Sequence, residues 1–388
     1  MNFVFLSPHY PPYVAHFCQA LRRAGVNVLG LGETPYAELG PELQHALTDY
    51  YRVDNMHRYD ELMRACGCFI HRHGRLDRFE SLNEYWLDSE AHIRTDFNIP
   101  GVKTDSIKDI KLKSHMKQIF RKIGLRVARG ALADTLEDAR KLARELGYPM
   151  VAKPDSGIGA SNTYRLESDA ELEHLFANKP PFPFIFEEFI NGTIVTFDGL
   201  ANSRAEVLLF SSHEYSHSAL DILAHELNHY YFSHREIPAD LEAAGRAIVK
   251  AFDARERFFH LEFFRPAEGG ALVALEVNMR PPGGSLVDMI NFANDVDIYD
   301  GWAELVRHDR CSLITTRKYH CAYVGRRANR AYVHSHQALL DRLGPCLVDH
   351  HAIDALSAPV MCEYGYIIRT PELGHMHELA ALIHQEAA

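Results

Sequence analysis

Apolar residues near the N-terminus follow the spacing of a strand, a helix and a second strand. The run at 2–6 predicts a buried strand and the run at 26–31 predicts another. Between them, apolar residues recur at helical spacing, namely Val14, Phe17, Leu21 and Ala24. Strand, helix and strand at this spacing predict a βαβ unit and a parallel sheet. The same patterning predicts a helix at 59–65 and a strand at 68–71.

Shorter strands alternate with helices in the next part of the chain. A Lys-rich amphipathic helix is predicted over 105–123. Thr135 and Asp138 form a capping box that opens a second helix, which ends at Leu146. The predicted strands are 149–153, 164–166 and 184–189. Together these elements indicate an α+β unit.

The last part of the chain is predicted to carry a larger set of strands. Residues 194–209 are typical of a hairpin, and the strands 258–264 and 272–278 are predicted to pair. A helix is predicted at 337–343, with a strand near 362–369. The whole chain is therefore expected to combine α/β and α+β architecture.

Composition narrows the class of protein. The 388 residues predict two or three domains, and the net charge of −11 without a Lys/Arg run argues against nucleic acid as a partner. Seven Cys, an odd number without a CxxC pair, favour a reducing compartment over a disulfide framework. No apolar run approaches 18 residues and no signal-peptide pattern is present. We expect a cytoplasmic protein without a membrane segment.

The most informative stretch is LEVNMRPPGG at 275–284, a strand that runs into a Pro/Gly loop. Glu276 and Asn278 are two residues apart, so on a strand they lie on the same face, and Arg280 continues that parity. A carboxylate, an amide oxygen and a guanidinium on one face could hold Mg²⁺ and the phosphates that it bridges.

A second acidic residue lies in the neighbouring apolar strand. Glu262, two residues after His260, has a position on its strand similar to that of Glu276 on the next strand. Its carboxylate is therefore expected to meet that of Glu276. Two adjacent carboxylates repel unless a cation lies between them. With Asn278 they form an all-oxygen set that suits Mg²⁺ better than Zn²⁺. The alternative is a structural salt bridge for Glu262.

Residues suited to phosphate lie upstream. Lys153 precedes the small-residue loop 156–161, in which backbone N–H groups could approach phosphates closely. The pattern is neither a Walker A motif nor a Rossmann fingerprint, and it predicts a lid over a triphosphate; the alternative is a tight turn. Residues 187–190 are predicted to be an extended linker that offers backbone groups to adenine, or else an ordinary edge strand.

The segment HELNH at 225–229 matches HExxH, a zinc motif when both His share a helix face. A zinc metallohydrolase using His225, Glu226 and His229 is therefore one alternative. With 24 His in the chain, a chance match is the competing interpretation. A further hypothesis is an insertion beside the active site that recognises an acidic acceptor. That insertion would contain His213, His217, His225, His229 and His234; a solvated polar loop is its alternative.

The order and spacing of these motifs resemble the ATP-grasp superfamily, in particular its carboxylate–amine ligases. The resemblance spans nearly the whole chain. It implies a Rossmann-like preATP-grasp domain at 1–106 and a two-lobed ATP-grasp fold. The small ATP-binding lobe with its glycine-rich lid would be 107–190. The large lobe, with the metal site and a C-terminal α/β segment, would be 191–388.

The resemblance also implies roles for residues. The nucleotide would contact Lys113, Lys153, Ser156, Gly157, Gly159, Ser161, Glu187, Glu188, Phe189 and Ile190. The metal ligands would be Glu262, Glu276 and Asn278, and the catalytic residues Arg280 and Lys153. Ile194 occupies the position where the family often has an acidic residue for the ribose hydroxyls. Asp198 shares its strand parity and is expected to compensate.

The implied activity is an ATP-dependent ligation of a carboxylate to an amine through an acylphosphate, with release of ADP and phosphate. The cofactors would be ATP and Mg²⁺ or Mn²⁺. The partners would be small molecules, amino acids among them, and a homodimer is the usual family state. The alternatives are an ATP-grasp kinase that stops at a phosphorylated hydroxyl, the zinc metallohydrolase, and a degenerate nucleotide-binding regulator. The sequence does not name the substrates.

Overall fold

A computed structural model describes residues 1–157 and 161–387. Its strands form three sheets. None of the helices in these ranges is both long and apolar enough to span a bilayer. The predicted mixture of α/β and α+β architecture is confirmed.

The N-terminal sheet is parallel, with strand order β3-β2-β1-β4. Its strands are β1 Asn2–Leu6, β2 Asn27–Gly32, β3 Asp49–Arg52 and β4 Arg78–Glu80. Its helices are α1 Val14–Arg23, α2 Pro41–Ala46, α3 Tyr59–His73 and α4 Leu87–Asp96. Strand β1 is buried throughout because helices cover both faces of the sheet. The predicted βαβ unit is confirmed.

Helix α3 corrects the sequence analysis, which predicted a helix at 59–65 and a separate strand at 68–71. The structure has one continuous helix, and its buried residues explain why. Leu62, Ala65, Cys66 and Phe69 recur at three- and four-residue spacing, so the helical face continues beyond Ala65. The short apolar run that suggested a strand is part of that face.

The second sheet is antiparallel, with strand order β6-β9-β7-β8. Its strands are β6 Gly130–Leu132, β7 Met150–Pro154, β8 Tyr164–Leu166 and β9 Phe184–Glu188. Helices α7 Leu136–Leu146 and α8 Asp169–Asn178 supply its apolar core. As predicted, the Thr135 side chain accepts a hydrogen bond from the Asp138 N–H at the start of α7.

The predicted single helix over 105–123 is wrong. Two helices, α5 Ile107–Lys111 and α6 Lys113–Lys122, meet at Leu112, whose backbone is extended (φ −97°, ψ 119°). The break places Lys113 at the first turn of α6, where its N–H donates to the Asp155 carbonyl at 2.8 Å. The same backbone contact ties α6 to the end of β7.

The third sheet has the order β17-β18-β16-β13-β12-β10-β14-β15-β5, and β11 pairs with β10. Its strands are β5 Arg126–Val127, β10 Gly192–Ala201, β11 Val207–Ser211, β12 His213–Tyr215, β13 Tyr230–Ser233, β14 Arg257–Pro266, β15 Val273–Asn278, β16 His320–Arg326, β17 Leu347–Ala352 and β18 Tyr364–Thr370. Its helices are α9 Ala219–His225, α10 Ala239–Ala251, α11 Leu286–Asn294, α12 Ile298–His308, α13 His336–Leu343, α14 Ala358–Met361 and α15 Leu373–His384.

Apolar cores join the sheets. Phe17 of α1 packs edge-to-face on Trp302 of α12 with ring centroids 5.0 Å apart, so the N-terminal sheet leans on helices of the third. Phe120 of α6 shares a core with β14, β15 and α10. Strand β5 lies within 107–190 but adds to the edge of the third sheet. The division into 1–106, 107–190 and 191–388 stays a prediction.

Candidate active site

A cavity of about 320 Å³ lies between the second and third sheets. Residues that are far apart in the sequence line it, because β7, β9, β14 and β15 all contribute residues to its wall. Of the residues predicted to form the site, its lining includes Lys113, Lys153, Glu187, Glu188, Phe189, Ile190, Glu262, Glu276, Asn278 and Arg280. Apolar side chains such as Ala128, Val151 and Leu275 line it too, so the cavity offers both an apolar and a charged region.

The acidic corner of the cavity is built by two neighbouring strands. Glu262 of β14 lies directly opposite Glu276 of β15, and His260 lies opposite Asn278. The Asn278 amide nitrogen is 3.5 Å from Glu262 Oε1. Burial alone would raise the pKa of Glu262, but the hydrogen bond from His260 and the charges of His260 and Arg280 lower it below its ordinary value. The carboxylate is therefore ionised at neutral pH.

Glu262, Glu276 and Asn278 together offer oxygen donors and no imidazole or thiolate. This all-oxygen donor set suits Mg²⁺ or Mn²⁺ better than Zn²⁺, whose protein sites are usually built on His or Cys. A cation there would offset the repulsion between the two carboxylates. The structure thus brings together the three residues that the resemblance names as metal ligands.

Lys113 lies beside this corner. Its Nζ is 2.9 Å from Glu276 Oε1 and donates to the Gly157 carbonyl at 3.3 Å. Burial would lower the pKa of Lys113, but the Glu276 carboxylate raises it above its ordinary value. Lys113 is therefore a permanent cation at the wall of the cavity.

Lys153 is held from the opposite side by Glu187, whose Oε2 lies 3.1 Å from Lys153 Nζ. The other carboxylate oxygen of Glu187 lies 2.6 Å from Nζ of Lys117, a residue that the sequence analysis missed. Burial would raise the pKa of Glu187, but the two lysines lower it. Lys117 is four residues after Lys113 on α6, and this i, i+4 spacing was the available signal.

The sequence analysis predicted that Glu187 begins an extended linker. In the structure it is instead an interior residue of β9. Its backbone pairs with β6 and β7, and its side chain is buried. The N–H groups of Glu188 and Phe189 donate to the carbonyls of Arg129 and Pro149. These two N–H groups are therefore used within the protein, and contacts of Glu187, Glu188 and Phe189 with adenine through other groups stay a prediction. Contacts through Ile190 stay a prediction.

Arg280 faces the N-terminal sheet through Glu84, another residue that the sequence analysis did not identify. Arg280 Nε is 3.4 Å from Glu84 Oε2, and Arg280 Nη1 donates to the Pro281 carbonyl at 2.9 Å. Glu84 lies in a short 3-10 helix, Glu84–Trp86, and is buried. Burial raises the pKa of Glu84, and Arg280 opposes the shift. Nothing local in the sequence around Glu84 signals this long-range contact.

The predicted glycine-rich loop is only partly covered by the described residues. Ser156 and Ser161 are exposed, and neither they nor Gly157 line the cavity. Gly159 lies outside the described residues. The start of the loop is anchored by Asp155, which accepts hydrogen bonds from the Ser114 N–H at 2.7 Å and the Ser114 hydroxyl at 2.8 Å.

Asp198 does not face the cavity, so the predicted ribose contact is wrong. Its side chain is fully buried in β10. Its Oδ2 lies 2.8 Å from His213 Nδ1 and accepts the Thr196 hydroxyl at 2.5 Å, while its Oδ1 lies 2.5 Å from His260 Nδ1. Burial would raise the pKa of Asp198, but the two histidines lower it. Ile194, four residues earlier, does line the cavity.

His260 connects Asp198 to the acidic corner. Its Nε2 lies 3.1 Å from Glu262 Oε1. Burial would lower the pKa of His260, but Asp198 and Glu262 raise it to about 9. The sequence analysis gave His260 no role, although its i, i+2 spacing from Glu262 places both on one face of β14.

The HExxH segment does not form a helical zinc site. Helix α9 ends at His225, and Glu226 has a left-handed backbone with φ of 47°. His225 and His229 therefore do not share a helix face. Within 1–157 and 161–387, no group of three or more His, Cys, Asp or Glu is placed to hold a metal ion. The zinc metallohydrolase alternative is wrong on this geometry.

The His-containing segment nonetheless borders the cavity. His217, His229 and residues 218–222 line it. Burial lowers the pKa of His229 to about 3, so its imidazole is neutral at physiological pH, and its ring stacks on Tyr215. The other members lie elsewhere, since His213 is bonded to Asp198 and His234 lies 3.2 Å from Glu214.

Comparisons with known proteins agree with this arrangement. The family described as "Carbamoyl-phosphate synthase L chain, ATP binding domain" matches residues 113–180, a stretch that begins at Lys113 and includes Lys153. An L-arginine-specific L-amino acid ligase from Bacillus subtilis is 24% identical over 284 residues, which cover 71% of this chain and 67% of the relative. The crystal structure of an L-amino acid ligase from Bacillus licheniformis superposes with a TM-score of 0.77 at 15% identity, covering 99% of this chain and 97% of that one.

The matching family model, the relative and the structural neighbour are all ATP-grasp proteins. The predicted superfamily and the predicted class, an ATP-dependent ligase, are therefore confirmed at the level of the relatives. A further ATP-grasp neighbour is the 2-oxoglutarate carboxylase biotin carboxylase domain dimer of Hydrogenobacter thermophilus, whose structure holds MgADP. It has a TM-score of 0.68 at 14% identity, over 95% of this chain and 86% of that one. The predicted cofactors, ATP and Mg²⁺, agree with the ligand of this neighbour.

The similarity to other ATP-grasp proteins is shorter. The arginine-specific large chain of carbamoyl phosphate synthase from Bacillus subtilis (strain 168) is 26% identical over 118 residues, which are 30% of this chain and 12% of that protein. A match over less than a third of this chain leaves the substrates open.

Proposed function

We propose that the protein is an ATP-dependent ligase that joins a small-molecule carboxylate to an amine. A carboxylate oxygen attacks the γ-phosphorus of ATP, and ADP leaves. The amine then attacks the acyl carbon, phosphate leaves, and the amine nitrogen loses a proton. The observation that carries the proposal is the convergence of Lys113, Lys153, Arg280 and the Glu262–Glu276 corner on one cavity.

Each group has a role in this scheme. Lys113 and Lys153 would offset charge on the phosphates, since both are buried cations beside the cavity. Glu262, Glu276 and Asn278 would hold Mg²⁺, which supplies charge neutralisation at the phosphates when bound. Arg280 would stabilise negative charge on the transferring phosphoryl group and on the later tetrahedral centre. The protein contributes position and electrostatics more than covalent catalysis.

We further propose that the substrates are amino acids. The support is that two relatives, one by sequence and one by structure, are named L-amino acid ligases. Seven free cysteines, as the structure describes them, support a reducing compartment such as the cytoplasm. A homodimer is retained as a proposal, since one neighbour is described as a dimer.

The test is a screen for ADP release with Mg²⁺ and ATP against pooled amino acids and small acids, followed by the mass of each product. Hydroxylamine added in place of the amine would trap an acylphosphate as a hydroxamate. A ligase gives a product of summed mass minus water and a hydroxamate. A kinase gives a stable phosphorylated product without any amine, and that result would overturn the proposal.

A further inference from the structure

A buried row of four side chains runs from the interior of the third sheet to the acidic corner. His213 contacts Asp198, Asp198 contacts His260, and His260 contacts Glu262. Three of the four are almost completely buried, and Glu262 alone reaches the cavity. The row is therefore a connection between the core and a residue of the candidate metal site.

Strand pairing fixes the geometry of this row. Asp198 of β10 lies directly opposite His260 of β14, and Thr196 lies opposite Glu262. Both oxygens of Asp198 are engaged, one by His260 and the other by His213 and the Thr196 hydroxyl. A carboxylate held at both oxygens cannot rotate, so it fixes the imidazole of His260 in turn.

The imidazole of His260 has a carboxylate at each nitrogen. Nδ1 lies 2.5 Å from Asp198 Oδ1, and Nε2 lies 3.1 Å from Glu262 Oε1. The Asn278 amide also approaches Glu262 at Oε1. Both contacts thus fall on the same oxygen, and Oε2 is the oxygen that these neighbours leave to a ligand.

We propose that His260, held by Asp198, is the positioning residue that orients Glu262 for a divalent cation. This inference rests on the proposed function, in which Glu262, Glu276 and Asn278 hold Mg²⁺. A flexible glutamate that is already anchored at one oxygen loses less freedom when it binds a metal, so the row raises cation affinity. The competing explanation is that the row only holds β10 and β14 together.

A pair of substitutions at His260 separates the two explanations. The side-chain amide of Gln reaches the place of Nε2, so His260→Gln keeps a donor for Glu262. The amide of Asn reaches only the place of Nδ1, so His260→Asn keeps the Asp198 contact and loses the Glu262 contact. The readout is Mn²⁺ binding to the enzyme–ADP complex, measured by electron paramagnetic resonance, with thermal unfolding measured in parallel.

We expect His260→Asn to weaken Mn²⁺ binding by about 10-fold or more, and His260→Gln to remain closer to the wild type. His213→Gln, at the far end of the row, should lower the unfolding temperature with little change in Mn²⁺ affinity, because the Thr196 hydroxyl still holds Asp198 Oδ2. Equal Mn²⁺ affinity in the two His260 variants, or no loss in either, would overturn the proposal.

A measurement on the unaltered protein covers the case in which His260 variants do not fold. In ¹⁵N-histidine-labelled protein, the His260 Nε2 resonance should shift when Mg²⁺ is added to the ADP complex. No shift on saturation with Mg²⁺ would count against the proposal. Failure of the proposed function would look different, since Glu276→Ala would then leave Mn²⁺ binding intact.

Discussion

Lys113 Nζ lies 2.9 Å from Glu276 Oε1, so a lysine at the start of α6 forms an ion pair with a strand residue of the third sheet. In the proposed reaction, the lysine would bind a phosphate and the glutamate would bind the cation. Without ligands, each group therefore neutralises the other. When nucleotide and metal bind, a lysine–phosphate contact and a glutamate–metal contact would replace this ion pair. The ion pair thus balances two mostly buried charges when no ligand is bound.

Removing charge from the cavity should abolish ATP turnover. We expect Glu276→Ala and Lys153→Ala each to lower the rate of ADP release by about 100-fold or more, because each removes an electrostatic contact to phosphate or metal. Lys141→Ala is the matched control, since Lys141 is exposed on α7 and its ion pairs among the described residues are with Glu137 and Asp138 of the same helix. Full activity in Glu276→Ala or Lys153→Ala would show that the site is assigned to the wrong residues.

Glu187 should matter more for stability than either of its lysines. Glu187→Gln leaves two buried ammonium groups without a counter-ion, which should cost about 3–5 kcal/mol of unfolding free energy. Lys117→Met leaves the Lys153–Glu187 pair intact and should cost less. Urea denaturation of the variants measures both.

A double variant tests whether unpaired lysine charges cause the loss of stability in Glu187→Gln. Adding Lys117→Met to Glu187→Gln removes one of the unpaired charges, so it should recover part of the lost free energy. A larger loss in Lys117→Met than in Glu187→Gln would contradict this account of the triad.

Arg280 should affect chemistry more than nucleotide binding. Arg280→Lys keeps a positive charge but loses the planar fork, so we expect turnover to fall by about 10-fold or more. The dissociation constant of ADP should change little, because Lys113 and Lys153 remain. Steady-state kinetics and calorimetry measure the two quantities, and a loss confined to ADP binding would refute the assigned role.

His229 should make the fold sensitive to mild acid. Its pKa is about 3 in the folded protein and 6.5 in the unfolded chain, so between these values the unfolded state binds one proton more. Stability should therefore fall by about 1.4 kcal/mol per pH unit on acidification through this window. His384, whose pKa is lowered by burial to about 4, acts in the same direction.

Urea denaturation between pH 4 and pH 6.5 measures this slope, and His229→Phe should make it shallower. His260 does not affect the slope in this range. Because its pKa is raised in the folded protein, its contribution to stability is fully present below pH 6.5 and is lost only as the pH rises through about 9. An unchanged slope in His229→Phe would mean that another group titrates.

The sequence carried enough information for the acidic corner because strand parity is a local rule. Glu276 and Asn278 had to share a face, and the similar position of Glu262 on the paired strand followed. Strand parity gave the wrong result for Asp198. It predicts which face of the strand a residue lies on, but not whether that face is exposed to the cavity or buried at that position. Glu84 is joined to Arg280 only by tertiary packing, and no local pattern reports such a contact.

One error came from extending a helical period too far, since Leu112 interrupts the expected helix at the residue before Lys113. The HExxH alternative fails for a similar reason, because Glu226 interrupts the helix after the first His. In both cases the break is a backbone conformation that apolar or metal-ligand spacing does not encode. Lys117 was overlooked although it lies four residues after Lys113, because a buried lysine looks like any other charged helix residue until its partner is known.

The stretch 113–180 that matches the family contains Lys113, Lys117 and Lys153, whereas their carboxylate partners Glu187 and Glu276 lie beyond it. A fragment of that length would bury like charges with nothing to balance them. Nucleotide binding is therefore a property of the assembled chain, and it appears only once β9 and β15 have found their places. Bound nucleotide should raise the melting temperature of the whole protein, so that ligand-dependent thermal shift also reports whether a variant has folded.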